Sequence, residues 1–130
     1  VTDGEGATRV VTVQVTGAAT AADAERVARA IANSPLNKTS FAGADPVWGR
    51  VMDAVGYSGA DVTEDRVSIY YEDVPATLNG VAAGTPAEDL VAVAGREAFT
   101  LRVDLGMGPG EAEVLTCDLT EEYVRINLVD

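Results

Sequence analysis

The sequence predicts an α+β fold: one mixed, largely antiparallel sheet with helices packed on one face. Three observations carry that expectation. Segments of strand period and of helix period alternate along the chain. Neither an internal repeat nor a low-complexity linker interrupts them. The 130 residues, 47% of them hydrophobic, suit a single domain, residues 1–130, that can bury a real core.

Thr8 to Thr16 alternates Val11, Val13 and Val15 against Thr12, Gln14 and Thr16, the pattern of a half-buried strand, and Gly17 is expected to end it. Thr20 offers an N-cap with Asp23 three residues on in a capping-box position, and Ala24, Val27, Ala28 and Ile31 follow at helical spacing. Asn33-Ser34-Pro35 breaks this helix, and Leu36 to Gly43 is expected to be irregular or a short strand. Asp45-Pro46 predicts a second helix start, with Asp as cap and Pro at the first helical position. Its apolar face is Val47, Val51, Met52 and Val55, and Gly56 suits its C-terminal cap. Arg66 to Tyr71 and Val74 to Leu78 read as two strands joined by a Glu72-Asp73 turn. Thr85-Pro86 starts a third helix, with Glu88 at the box position and Gly95 at the end. Phe99 to Leu105 alternates again, Gly106 to Gly110 is a turn, and Glu111 to Asp118 returns, predicting an antiparallel hairpin. Thr120-Glu121-Glu122 opens a last helical turn running through Tyr123 to Ile126.

Charge narrows the function classes. The net charge of −12 argues against a nucleic-acid partner, which demands a basic face, and against an anionic membrane surface. The acidity is uneven: residues 1–50 balance five acids with five bases, whereas residues 51–130 carry sixteen acids and four bases. An anionic ligand would therefore favour the first fifty residues. The lone cysteine, Cys117, excludes an internal disulfide and accords with a reducing compartment. Val1 and the following Thr2-Asp3-Gly4-Glu5-Gly6 read as mid-protein sequence, so the chain is expected to be a piece of something longer.

Several chemistries are weak. Histidine is missing, which removes Ser-His-Asp triads, Cys-His dyads and most zinc sites. Gly106-Met107-Gly108-Pro109-Gly110 opens no helix, so it reads as a turn and not a phosphate loop. Asp61, Thr63 and Asp65 imitate a calcium loop, but Arg66 stands where its glycine belongs. Cys117 has no basic sequence neighbour to stabilise a thiolate and reads as structural.

Three segments offer more. In Asp3-Gly4-Glu5-Gly6-Ala7-Thr8 a carboxylate stands between two glycines just before a strand, on backbone that can approach a ligand closely; an exposed tight turn is the alternative. Asn33 to Arg50 holds the only tryptophan, the only lysine and Arg50 near a helix start. Lys38 and Arg50 there either meet an anionic group or serve a packed helix start. Leu119 to Asn127 forms a helical turn that either docks the C-terminus or offers Asn127, a neutral donor and acceptor, to an amino-acid ligand.

In this order and spacing the three segments resemble the ornithine acetyltransferase (ArgJ) family. The counterparts are Asp3 to Arg9 for a D-G-E-G-A-T-K motif, Ala32 to Thr39 for A-N-S-P-L-V-K-T, Gly43 to Arg50 for G-x-D-P-N-W-G-R, and Asp118 to Asn127 for D-L-T-x-x-Y-V-x-I-N. Val47 departs from the family's Asn and Arg9 from its Lys, while Leu128-Val129-Asp130 replaces Ala-Asp-Tyr and the final Thr/Ser pair is missing. The resemblance implies the C-terminal portion of the β chain of a self-cleaving precursor. The implied reaction moves acetyl from N-acetylornithine to glutamate through an N-terminal threonine nucleophile. That threonine lies outside this chain, so no catalytic residue is expected here and the chain alone is expected to be inactive. Glu5 and Asn127 are the implied substrate-binding residues, Glu5 facing the cationic amino group of ornithine and Asn127 orienting the amino-acid end. The implied partners are the rest of the β chain and the α chain, in an α2β2 heterotetramer. No metal or cofactor is implied, acetyl-CoA as a second acetyl donor stays open, and the location is cytoplasmic. A non-catalytic acidic binding or assembly domain descended from the same family is the alternative.

Overall fold

A computed structural model describes residues 9–117. In chain order the elements are β1 (Val10–Ala18), α1 (Ala21–Ala32), α2 (Pro35–Ala42), α3 (Trp48–Tyr57), β2 (Ser68–Tyr71), β3 (Val74–Leu78), β4 (Val81–Ala82), α4 (Ala87–Ala94), β5 (Ala98–Asp104) and β6 (Gly110–Cys117). A single 3-10 turn, Glu64–Arg66, precedes β2. The strands form one sheet in the order β4-β3-β2-β5-β1-β6. Only β1 and β5 run parallel; the other neighbours are antiparallel, which is the mixed, largely antiparallel sheet the sequence predicts.

Period-two patterning places the core. Val13 pairs with Leu101 and Val15 with Val103 across the parallel ladder, Ile69 continues the second row on β2, and Val114 joins the first on β6. All are buried, and each valine-sized side chain so buried contributes about 1.5–3 kcal/mol. Helices cover this face. α1 lies across β1 and β6 with Ala24, Val27, Ala28 and Ile31 inward, as its spacing predicts. Its start is held as expected: the Thr20 side chain accepts the Asp23 N–H at 3.1 Å. Asp23 in turn binds Arg26 at 2.8 Å. α4 packs Leu90, Val93 and Ala94 into the same core over β2 and β3.

Six expectations are corrected, the first being the capping box of the third predicted helix: α4 has Pro86 at its N-cap and no side-chain cap bond, and the Thr85 hydroxyl donates instead to Pro75 O at 2.7 Å. Residues 36–43 are neither irregular nor a strand, because Ser34 accepts the Asn37 N–H and Pro35 occupies the first helical turn, so the residues that stop α1 also start α2. Asp45 does not cap the following helix: α3 begins at Trp48 with Val47 at its N-cap and no side-chain cap bond. The helix also passes Gly56, and Ser58 ends it by donating its hydroxyl to Val55 O at 2.8 Å. Gly17 does not end β1; it forms a bulge at φ +72° and the strand resumes at Ala18. The largest correction concerns the expected terminal hairpin. β5 and β6 are not neighbours, because β1 is inserted between them.

Glycines make that insertion possible. The loop after β5 wraps over the end of β1, with Met107 and Gly108 donating N–H to Gly17 O at 2.7 and 3.0 Å. A Cβ on Gly17 would meet Gly106 N at 2.6 Å, and one on Gly110 would overlap the Thr20 carbonyl. The Gly106–Gly110 run is thus a strand crossover.

Candidate functional site at one end of the sheet

The strand directions bring a set of chain segments to a common end of the sheet. β1 and β5 begin there, β2 and β6 finish there, and α4 delivers the chain to β5 there. Because α1 returns antiparallel to β1, the segment from Asn33 to Arg50 also lies at this end, and Phe41 of α2 meets Phe99 at the start of β5 edge-on, with ring centroids 6.3 Å apart.

The start of β1 and the end of β6 are neighbours here. Val10 on β1 is directly paired with Cys117 on β6. The segment preceding Arg9 and the segment following Cys117 therefore leave adjacent strands at the same end. Glu5 and Asn127, the two substrate-binding residues the resemblance implies, lie outside the described residues, five positions before Val10 and ten after Cys117.

The junction itself is firmly held. Arg9 donates from Nη1 to the carbonyls of Gly95 at 2.7 Å and Arg96 at 3.3 Å, so it caps the C-terminal end of α4 while leading into β1. On β2, Tyr71 stacks on Phe99 at 5.9 Å. Burial first, and then the nearby Asp45 carboxylate, hold the Tyr71 phenol well above its ordinary range, so it stays protonated. Glu72, at φ +58°, binds the edge of β5 twice: its N–H donates to Thr100 O at 2.8 Å and its carboxylate accepts the Thr100 N–H at 2.7 Å.

The Asn33 to Arg50 segment has a structural interior. Arg50 extends Nη1 back across α2, 3.3 Å from Leu36 O and 3.2 Å from Ser40 Oγ. Asn37 is fully buried and donates to Arg50 O at 3.2 Å. The pair staples α2 to α3. Arg50 is thereby occupied in packing, whereas Lys38 stands half-buried on α2. Trp48 packs partly buried against the core. Sequence reasoning missed Tyr71 and Asn37. Two adjacent tyrosines in Ile69-Tyr70-Tyr71 gave no sign which ring faced inward, and Asn37 lay in a stretch not read as helix.

An open cleft of about 430 Å³ lies on the helical side, lined by Arg26, Arg29, Asn33, Pro35 and Tyr57 among others. Both guanidiniums are already paired, Arg26 with Asp23 and Arg29 with Glu25, each at 2.8 Å. Among the described residues no group of three or more His, Cys, Asp or Glu side chains is placed to hold a metal ion. No described helix is long and apolar enough to cross a membrane.

Known proteins are similar to this chain in sequence and fold. The profile of the ArgJ family matches residues 1–128. The arginine biosynthesis bifunctional protein ArgJ of Geobacter sulfurreducens is 52% identical over 128 residues, covering 98% of this chain and 33% of that protein. Its namesake in Brucella suis is 49% identical, covering 98% of this chain and 31% of that protein. The crystal structure of the arginine biosynthesis bifunctional protein ArgJ from Bacillus halodurans superposes with a TM-score of 0.84 at 38% identity, covering 95% of this chain and 58% of the solved chain. This chain thus spans about one third of the length of the curated relatives it matches.

Proposed function

The chain belongs to the ArgJ family, and from that membership we propose that it forms the substrate-lining C-terminal portion of a glutamate N-acetyltransferase. The reaction carries acetyl from N-acetylornithine to glutamate. The nucleophile is an N-terminal threonine exposed by self-cleavage of the precursor and lies outside these residues, with its own terminal amine as base. In this reading Glu5 neutralises the cationic amino group of ornithine and Asn127 orients the amino-acid end of the substrate.

The single observation that carries the reading is the pairing of Val10 with Cys117, which releases both ligand-bearing segments from adjacent strand ends. The Asn33 to Arg50 motif, folded and stapled at the same end, supplies a rigid base for them. Cleavage into two chains accords with the lengths: at similar coverage of this chain, the matched share is 58% of the solved chain but 33% of a curated relative. The relatives' name, bifunctional, accords with acetyl-CoA as a second acetyl donor. The α chain and the rest of the β chain are the partners, in a cytoplasmic α2β2 assembly.

The test uses the full-length polypeptide containing this chain. Glu5→Gln removes a charge-assisted contact of roughly 1.5–3 kcal/mol. KM for N-acetylornithine should rise about ten- to hundredfold, with KM for glutamate little changed. Asn127→Ala should lower turnover without unfolding the protein. Unchanged kinetics in both variants would remove these residues from the site.

A further inference from the structure

The clamp at Arg9 is larger than its surroundings require. Three successive carbonyls at and just beyond the end of α4, those of Gly95, Arg96 and Glu97, all accept from the entry to β1. Arg9 Nη1 reaches the first two at 2.7 and 3.3 Å, and the Val10 N–H donates to the third at 2.8 Å. Yet β1 is already paired on both sides, Val10 facing Ala98 on β5 and Cys117 on β6, so its register does not depend on the Arg9 side chain. α4 likewise ends on backbone bonds of its own, from Gly95 N–H to Val91 O at 2.9 Å and from Arg96 N–H to Val93 O at 3.0 Å. What the guanidinium adds is a fixed point just outside the sheet, where the chain enters β1.

The sequence on the far side of that point explains the need. Glu5 stands between Gly4 and Gly6, and glycine restricts φ and ψ less than any other residue, so a defined placement of the carboxylate has to come from outside that frame. Ala7 and Thr8 are short, which makes Arg9 the first side chain after Glu5 with the reach to cross to another element. Four residues of chain span at most about 14 Å, so Arg9 sets where the Glu5 segment starts. The anchor is firm: α4 buries Leu90, Val93 and Ala94 in the core, and the negative end of its helix dipole suits a guanidinium. Placement at this level matters, because a misplacement of about 1 Å in a substrate-holding group can cost on the order of a hundredfold in rate.

We infer that Arg9 is a positioning residue for substrate binding. By clamping the chain to the C-terminal end of α4 it fixes the origin of the Glu5 segment, and thereby the carboxylate that meets the cationic amino group of N-acetylornithine. Arg9 acts through Glu5 and not on the substrate. This role rests on the proposed reaction and on the part Glu5 takes in it. Lysine, which the family's motif has at this position, keeps the positive charge but presents it as a point and not as a planar fork, so it should hold the carbonyls in part.

Steady-state kinetics of the full-length polypeptide test it. KM separates this role from that of a plain helix cap, because loss of folded protein lowers apparent turnover but leaves the KM of the folded remainder unchanged. Arg9→Met should raise KM for N-acetylornithine about three- to tenfold, a part of the loss expected when the Glu5 charge is removed outright, with KM for glutamate within about twofold of the parent. Arg9→Lys should fall between the parent and Arg9→Met. Arg66→Met is the matched control: Arg66 Nη1 donates to Gly106 O at 3.2 Å at the opposite end of the sheet, and its loss should leave both KM values unchanged. In a Glu5→Gln background, Arg9→Met should add less than about twofold to KM. An unchanged KM in Arg9→Met beside a raised KM in Glu5→Gln overturns the role of Arg9 alone. An unchanged KM in Glu5→Gln overturns it together with the reading of the site. Effects of the two substitutions that simply multiply also overturn it. If Arg9→Met yields no folded enzyme, Arg9→Gln, a shorter and neutral donor, is judged by the same limits.

Discussion

Replacing Arg50 with alanine should damage stability more than chemistry. In the structure its Nη1 reaches Leu36 O at 3.3 Å and Ser40 Oγ at 3.2 Å, bridging α3 back to α2. Each such bond contributes about 0.5–1.5 kcal/mol net. The side chain is half-buried, so solvent competes for part of that, and the two together are worth about 1–2 kcal/mol. For a chain of this size each kcal/mol corresponds to roughly 3–6 °C, giving a fall in Tm of about 3–12 °C. The assay pairs Tm by circular dichroism of the 130-residue chain with turnover normalised to the folded fraction in the full-length polypeptide. Turnover of the folded fraction should stay within about twofold of the parent. An unchanged Tm with turnover abolished would refute the reasoning and make Arg50 a substrate contact. The Asn37 bond to Arg50 O is a backbone contact and survives the substitution, so the loss reads the guanidinium and not the whole staple.

Gly110→Ala places a methyl group against the Thr20 carbonyl beneath α1 and should cost about 3 kcal/mol in urea denaturation; a loss below about 0.5 kcal/mol would show that the crossover does not pack there. Tyr71 has a folded-state pKa raised by burial above the ordinary value, so its contribution is fully present below about pH 10 and is lost as the pH climbs beyond it. Tyr71→Phe, which cannot ionise, should therefore resist alkali better, and parallel Tm curves for the two proteins from about pH 9 to about pH 12 would contradict this. The chain by itself should release no ornithine from N-acetylornithine in the presence of glutamate, because the proposed nucleophile lies outside it; measurable turnover by purified residues 1–130 would end that reading.

The sequence by itself determined the local elements wherever a residue's role depends on near neighbours. Alternating valines marked β1, and Thr20 with Asp23 marked the start of α1, because strand period and N-capping act within a few residues. The α+β class followed from the order of such segments, and the motif residues around the candidate site were visible as short runs before any fold was known. Only the tertiary structure decided which strands pair. The Gly106–Gly110 run reads as a hairpin turn, and its being a crossover rests on β1 arriving from about 90 residues earlier to fill the gap between β5 and β6. That same arrival pairs Val10 with Cys117 and gathers the motif segments at one end of the sheet. It also buries Tyr71 while leaving Tyr70 outside. α2 escaped sequence reading because its stability comes from Ser34 and from Arg50 reaching back out of α3, and the second is a contact between helices that the periodicity of an eight-residue segment cannot record.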